Sequence, residues 1–323
     1  MTSLFEKLHN EGKISDISLT RIRLAEKQRI ISVHWELKTI LYLGVLVTTS
    51  GLSILVYKNI DSIGHDVIIS FLGVLSVGCY LYCWKYKLPF SWLKVASPNS
   101  YFDYILLLSC LSFITFIGYW QFQYRIFGDR YGLETFIPMV FLFFTAYFFD
   151  HLGILSLAIT NLAAWAGVVV TPSKILQEND YNSSTIIFTG FLLAILFILL
   201  SKYSTTKKIK PHFAFTYFNF GLHIGYISML AGLFSFNNLH LLWVIPLSGA
   251  GYFFYKESIR NKSFYTLLVF TLYSYIALSY VVINYLFWNM YVAGFYFTSL
   301  YFMVSATALI VFFVRMNKKL KAL

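Results

Sequence analysis

Long apolar stretches separated by short polar segments dominate this chain. A membrane-spanning helix needs about 20 consecutive apolar residues, and ten stretches reach or approach that length. The pattern therefore predicts an all-α polytopic membrane protein with about ten transmembrane helices. The predicted spans are residues 38–57, 66–84, 102–122, 133–149, 152–171, 184–201, 212–234, 239–255, 263–285 and 288–314.

Basic residues lie almost entirely in alternate gaps between these spans. All of the 25 Lys and Arg residues except Lys58, Arg125, Arg130 and Lys174 lie in the N-terminal segment, in alternate loops or in the C-terminal tail. Cytoplasmic segments of membrane proteins carry such an excess of basic residues, so we expect both termini in the cytoplasm. The chain then divides into a short cytoplasmic helical hairpin at 1–36, a transmembrane bundle at 37–314 and a basic tail at 315–323.

The composition agrees with this class. Hydrophobic residues make up 58% of the 323 residues and charged residues only 12%, which leaves too little polar surface for a soluble domain of this size. The net charge of +11 is spread over loops and is not gathered on one face. We therefore expect membrane lipids, and no nucleic acid, as the partners of this charge.

The segment before the first span reads as two short helices. Ser3 and Glu6 have the spacing of a capping box, Gly12 can end the first helix, and Ser15 or Asp16 can cap the second. A basic amphipathic helix that leads into a span usually anchors on lipid headgroups. The alternative is that this hairpin docks a cytoplasmic protein partner.

Polar side chains at membrane depth are costly and often functional. Asn161 lies near the middle of the fifth span, and Asn219 and His223 lie four residues apart on one face of the seventh. Together they form the sharpest candidate site, a midplane polar pocket in which His223 titrates and couples proton movement to a solute. The alternative is that each side chain hydrogen-bonds a neighbouring helix as a packing contact.

Two further groups lie at the ends of spans. On the cytoplasmic side, Asp103 opens the third span, and Asp150 and His151 connect the fourth to the fifth. The carboxylates are expected to accept from helix N-terminal amides, Asp103 in its own span and Asp150 in the fifth. The alternative is a cytoplasmic mouth lined by all three residues.

The outer side has one dense charged cluster. It either binds an anionic ligand or headgroup, or is a loop whose charges pair with one another. Its members are Arg125, Asp129, Arg130 and Glu134.

The sequence gives no reason to expect a metal, a cofactor or a catalytic residue. Cys79 and Cys83 share a helix face, but no third ligand lies near them in sequence, and Cys110 lies in another span. Motifs for nucleotide binding, metalloprotease, serine hydrolase and haem chemistry are absent from the sequence. Catalysis is therefore disfavoured.

Two stretches resemble a known family. The residues Leu-His-Asn-Glu-Gly-Lys-Ile-Ser at 8–15 are followed by a charged helix and many spans, as in the bacterial predicted membrane proteins called domain of unknown function 2157. The segments at 147–160 and 170–172 are similar to its Bacteroidetes members. The resemblance implies a protein of the bacterial cytoplasmic (inner) membrane. It brings no assigned activity and no catalytic residue.

Three functions remain open at this point. The leading hypothesis is a transporter-like protein that moves a small or lipid-like solute through a cavity lined by the fifth and seventh spans. The second is a non-catalytic membrane scaffold or assembly factor, and the third is a lipid-modifying membrane enzyme. A hydrated cavity at Asn161 and His223 would favour transport, whereas a solid aromatic core would favour a scaffold.

Overall fold

The structure is a computed structural model of the whole chain. It describes residues 8–9, 11–20, 47, 54, 58, 64–99, 101–128, 132–170, 184–236, 240–287 and 290–322. The chain divides into two compact units, Met1–Ile68 and Ile69–Leu323. All regular structure in the described residues is helical, which confirms the predicted fold class at this level.

Nine α-helices in the described residues correspond to the second to tenth predicted spans. Six helical segments are long and apolar enough to cross a membrane, so the chain is a multi-pass helical membrane protein. The first predicted span, 38–57, lies outside the described residues apart from two isolated positions. The helices are α1 (His65–Tyr86), α2 (Phe102–Tyr124), α3 (Leu133–Phe149), α4 (Leu152–Val170), α5 (Ser184–Lys207), α6 (Ala214–Ser235), α7 (Val244–Arg260), α8 (Phe264–Val282) and α9 (Tyr291–Ala322).

The helix boundaries follow hydropathy best where a turn is short. Helix α3 has the predicted bounds, because Asp150 takes up a left-handed conformation (φ 62°) and ends the helix with its own N–H on the carbonyl of Ala146. Helices α5 and α9 run past the apolar stretches, since their last turns continue through polar and basic residues. The Lys and Arg residues of these turns are good helix formers, and hydropathy cannot mark where a helix of polar residues ends.

Two hydrophobic clusters fill the unit Ile69–Leu323. One surrounds Leu106, Leu142 and Leu155, and the other surrounds Tyr226 and Leu233. Helices α5 and α6 approach closely through small residues, and a Cβ on Gly221 would lie 3.1 Å from the carbonyl oxygen of Ala194. Small residues that let helix backbones approach one another are typical of membrane bundles.

The described residues of the N-terminal unit contain the expected turn. Gly12 is left-handed (φ 71°), and the N–H of Lys13 donates to the carbonyl of Leu8. A helix begins after Ser15, whose hydroxyl accepts from the N–H of Ser18 at 3.3 Å. Ser15, and not Asp16, is therefore the cap of this second helix. The rest of the predicted hairpin lies outside the described residues.

Candidate functional site

A buried group of charged and titratable side chains surrounds Asp150, in the turn between α3 and α4. The Asp150 side chain is 1% exposed. Its Oδ1 atom lies 2.9 Å from Nζ of Lys210 and 2.7 Å from Nε2 of His212. Its Oδ2 atom accepts from the backbone N–H of Val95. Three segments distant in sequence, 87–99, 150–151 and 208–213, therefore meet at one carboxylate. Below, the Asp150 group means Asp150, Lys210 and His212.

The backbone around Lys210 explains why its side chain is buried. Lys210 is left-handed (φ 47°), and its N–H donates to the carbonyl of Trp92 at 2.8 Å. The hydroxyl of Ser204, in the last turn of α5, donates to the carbonyls of Ile209 and Lys210. Pro211 then opens a 3₁₀ turn, Pro211–Phe213, that leads into α6. These contacts hold the Lys210 side chain, itself 1% exposed, against Asp150.

The Asp150 group is only partly satisfied. Lys210 Nζ is within ion-pair distance of Asp150 but not aligned for a hydrogen bond, and it lies 5.1 Å from the centroid of the Phe90 ring. Because His212 donates from Nε2 to the carboxylate, its neutral form has an acceptor at Nδ1. That atom is buried and has no partner among the described residues. A proton added there would find no acceptor and would leave the group with a net positive charge.

Asp103 and His151 lie beside this group, and the structure corrects both expected caps. The amides at the start of α2 donate to the side chain of Asn99, and Asp103 accepts instead from Ser97 Oγ at 2.6 Å. The cap of α4 is His151, whose Nδ1 accepts from the N–H of Ile154 at 3.1 Å. Asp150 cannot serve there, since its left-handed backbone ends α3 and its carboxylate is occupied by Lys210 and His212.

The predicted mouth residues therefore share one end of the helices but do not line an opening. His151 Nε2 is 3.9 Å from Asp103 Oδ1. Burial lowers the pKa of His151, and the nearby charge of Asp103 partly opposes that shift. Asp103, Asp150 and His151 thus lie in one polar cluster with Lys210 and His212, in which the Asp103 side chain is 43% exposed and the other four are at most 16% exposed.

The predicted midplane pocket is replaced by a hydrogen-bonded chain between α6 and α8. Tyr265 donates its hydroxyl proton to Asn219 Oδ1 at 3.0 Å, so His223 Nε2–H must donate to the Tyr265 oxygen, at 3.1 Å. His223 Nδ1 then accepts from the Tyr273 hydroxyl at 2.9 Å. The imidazole N–H and both tyrosine hydroxyl protons therefore each have an acceptor. Below, the His223 chain means Tyr273, His223, Tyr265 and Asn219.

Asn161 is not brought to the His223 chain. Its amide donates to the carbonyl of Leu157, one turn earlier on its own helix α4. The cavities that stand out in the described part of the chain are lined by other residues, one between α7 and α8 and one at the ends of α5 to α8. A cavity lined by the fifth and seventh spans, the expected solute route, is not among them.

The external charged cluster is described only in part. Arg125 is exposed and left-handed (φ 47°), and it ends α2. Glu134 Oε1 accepts from the N–H of Gly132 at 3.3 Å. Asp129 and Arg130 lie outside the described residues. Arg125 and Glu134 form no ion pair in the described part of the chain.

Sequence reasoning missed Lys210, His212, Tyr265 and the role of Tyr273. The sequence does contain a signal that could have identified Lys210 and His212. Asp150 sits in the only predicted cytoplasmic connection without a basic residue, so a buried carboxylate there needs a cation from another loop on the same side. Lys210 and His212 flank a proline at the start of the seventh span, on that side.

Comparison with known proteins gives one match. The family DUF2157, described as predicted membrane protein, matches residues 6–155. No curated protein and no solved structure matches the chain. The described residues contain no group of three or more His, Cys, Asp or Glu side chains that could hold a metal ion. Over residues 6–155 this chain is therefore similar to the DUF2157 family of predicted membrane proteins, as the resemblance predicted.

Proposed function

We propose that the protein is a transporter-like, ten-span protein of the bacterial cytoplasmic membrane that moves a small or lipid-like solute, with both termini in the cytoplasm. Segments 87–99, 150–151 and 208–213, which the charge pattern assigns to the cytoplasm, meet at Asp150. Residues from 201–205 and 257–263, also assigned to that side, line one cavity. This grouping supports the alternating topology.

The Asp150 group is the proposed gate on the cytoplasmic side. The observation that carries this proposal is that one buried carboxylate oxygen serves both Lys210 and His212 while His212 Nδ1 lacks a partner. A proton bound by His212 would add an uncompensated positive charge beside Asp150 and Lys210, whose side chains are 1% exposed. That charge is relieved if the 87–99 segment opens or if an anionic solute enters, which couples proton binding to opening.

Transport is tested with purified full-length protein in proteoliposomes on a solid-supported membrane. The probes are chromatographic fractions of a bacterial metabolite and lipid extract. At least one fraction should evoke a transient charge movement that depends on pH and is lost in Asp150→Asn. Wild-type liposomes that respond no more than empty ones to every fraction would overturn transport.

Topology has its own test. A cysteine in place of Lys319, an exposed residue near the end of α9, in a chain without Cys79, Cys83 and Cys110, should react with an impermeant maleimide only from the cytoplasmic side. Labelling from outside would contradict the ten-span arrangement.

A membrane scaffold is the second candidate, and the satisfied His223 chain favours it. Both imidazole nitrogens are occupied by tyrosines, and aromatic side chains fill the surrounding core. If the protein is a scaffold that docks a partner through residues 1–36, a protein should co-purify with it in stoichiometric amount. Deleting residues 1–36 should remove that protein, and Asp150→Asn should leave it bound. Unchanged co-purification after the deletion would remove this candidate.

A further inference from the structure

A second site lies where α5 and α7 end and α6 and α8 begin. Residues of these four helix ends line a cavity of about 660 Å³. This volume is within the range of sites that bind small molecules and lipid headgroups, roughly 300–1,000 Å³. None of the members of the Asp150 group or of the His223 chain lines it, so it is a separate feature of the molecule.

The charges on its wall favour an anion. Lys202 and Arg260 supply two cations and Glu257 one carboxylate. Glu257 is already engaged, because its Oε1 accepts from Arg260 and, at 2.9 Å, from the amide of Asn261. Lys202 Nζ lies 4.9 Å from the centroid of the Phe253 ring, and no carboxylate among the described residues lies within ion-pair distance of it. The ammonium group is thus available to a ligand.

Other walls supply a hydroxyl donor and an apolar floor. Ser263 and Thr266 lie at the start of α8, where Ser263 caps the helix and the two hydroxyls bond each other at 3.0 Å, so one of their two hydroxyl protons is already used. Phe215 and Phe218 form the floor. Phe215 is 57% exposed and contacts the ring of Tyr265, which is also exposed, so an apolar strip continues from the cavity along α6 and α8. An amphiphile with an anionic head would match both parts.

We propose that this cavity binds a phosphate ester, its charge held by Lys202 and Arg260 and its apolar part resting on Phe215 and Phe218. Three of the four helices, α5, α6 and α8, belong to candidate membrane spans, so their ends are expected at the depth of lipid phosphates. The same chemistry occurs in membrane phospholipids and in soluble phosphorylated solutes. The proposal holds whether or not the protein transports anything.

Native mass spectrometry of the full-length protein in detergent, titrated with phosphatidylglycerol or phosphatidylcholine, tests the site. Phosphatidylglycerol should bind more tightly, because the choline group brings a cation of its own. Lys202→Gln and Arg260→Gln should each weaken phosphatidylglycerol binding about fivefold, the effect of about 1 kcal/mol per basic residue at an anionic surface. The matched control is Lys318→Gln with Lys319→Gln, two exposed residues of α9.

Three results would overturn the proposal. They are equal binding of the two lipids, equal losses in the cavity and control variants, and no gain of affinity in Glu257→Gln. The last variant removes the only carboxylate lining the cavity and should tighten phosphatidylglycerol binding, so a failure to fold cannot imitate the expected result. Glycerol 3-phosphate, added alone and in competition, identifies the source. If glycerol 3-phosphate binds and displaces phosphatidylglycerol, the ligand is a soluble phosphate ester. If it neither binds nor displaces phosphatidylglycerol, the ligand is a lipid.

Discussion

The Asp150 group and the His223 chain are both polar assemblies in an apolar bundle, yet they are built differently. The His223 chain joins two neighbouring helices, carries no charge and leaves no described donor or acceptor in the imidazole without a partner. The Asp150 group lies where three distant segments meet, contains a buried cation and leaves His212 Nδ1 without a partner among the described residues. Satisfied neutral networks fix helix packing, whereas unsatisfied charged ones respond to protons and ligands.

The difference also changes what a mutation removes. A hydrogen bond between membrane helices contributes roughly 0.6–2 kcal/mol, because the separated helices find other partners. Breaking a buried ion pair by removing one partner costs about 3–5 kcal/mol, because the remaining charge is left without compensation. The losses of unfolding free energy caused by substitutions at the two sites should therefore differ in magnitude and in additivity.

The largest effect is expected from Asp150→Leu. It leaves Lys210 buried without a counter-charge and should lower the free energy of unfolding by about 3–5 kcal/mol. Lys210→Met should cost less, because the Asp150 carboxylate keeps its hydrogen bonds to His212 and to the N–H of Val95. Unfolding in mixed micelles can be followed with a thiol-reactive dye, since Cys83 and Cys110 are fully buried in the folded protein.

The double variant Asp150→Leu/Lys210→Met sharpens this prediction. It removes both charges and should recover most of the stability lost in Asp150→Leu. If the double variant were as unstable as the sum of the two single variants, the ion pair would not be the origin of the loss. The Asp150 group and the His223 chain would then no longer differ in the type of interaction that stabilises the fold.

The next effect is at His223. His223→Leu removes two hydrogen bonds to tyrosines of α8 and should lower stability by roughly 1–2 kcal/mol. Asn161→Leu is the matched control, because Asn161 bonds only within its own helix in the described contacts and should cost less. A transport defect in His223→Leu with unchanged stability would reverse the comparison and make the His223 chain the functional site.

Sequence reasoning reached most of the fold because each step is local. Apolar length predicted nine of the helices that the structure describes, and a two-residue connection predicted the turn at Asp150 and His151. It also offered a hydrogen bond from His223 to a neighbouring helix, but it could not choose Tyr273 as the partner. That choice depends on the rotation of α6 against α8, which hydropathy does not encode.

The candidate site was predicted only in part. Asp103, Asp150 and His151 were grouped correctly at one end, but Lys210 was counted as one of several basic loop residues that set topology. Its burial follows from a left-handed backbone at 210 and a bond to Trp92, a residue 118 positions earlier in the chain. Contacts of that range depend on tertiary packing, and the spacing of residue types carries no signal for them.

The smallest effect concerns His151, at the edge of the Asp150 group. Its Nδ1 caps α4, so His151→Ala should cost about 1 kcal/mol. Protonation of Nδ1 removes the acceptor, and burial lowers the His151 pKa in the folded protein. The stability that depends on neutral His151 is therefore complete above about pH 6.5, the ordinary histidine value, and is lost as the pH falls through the lower pKa of the folded state. His151→Asn keeps an acceptor that does not titrate.

The difference in unfolding free energy between wild type and His151→Asn should therefore change in favour of the variant on acidification. A difference that stays constant between pH 7.5 and roughly pH 5 would show that His151 does not act as a titrating cap.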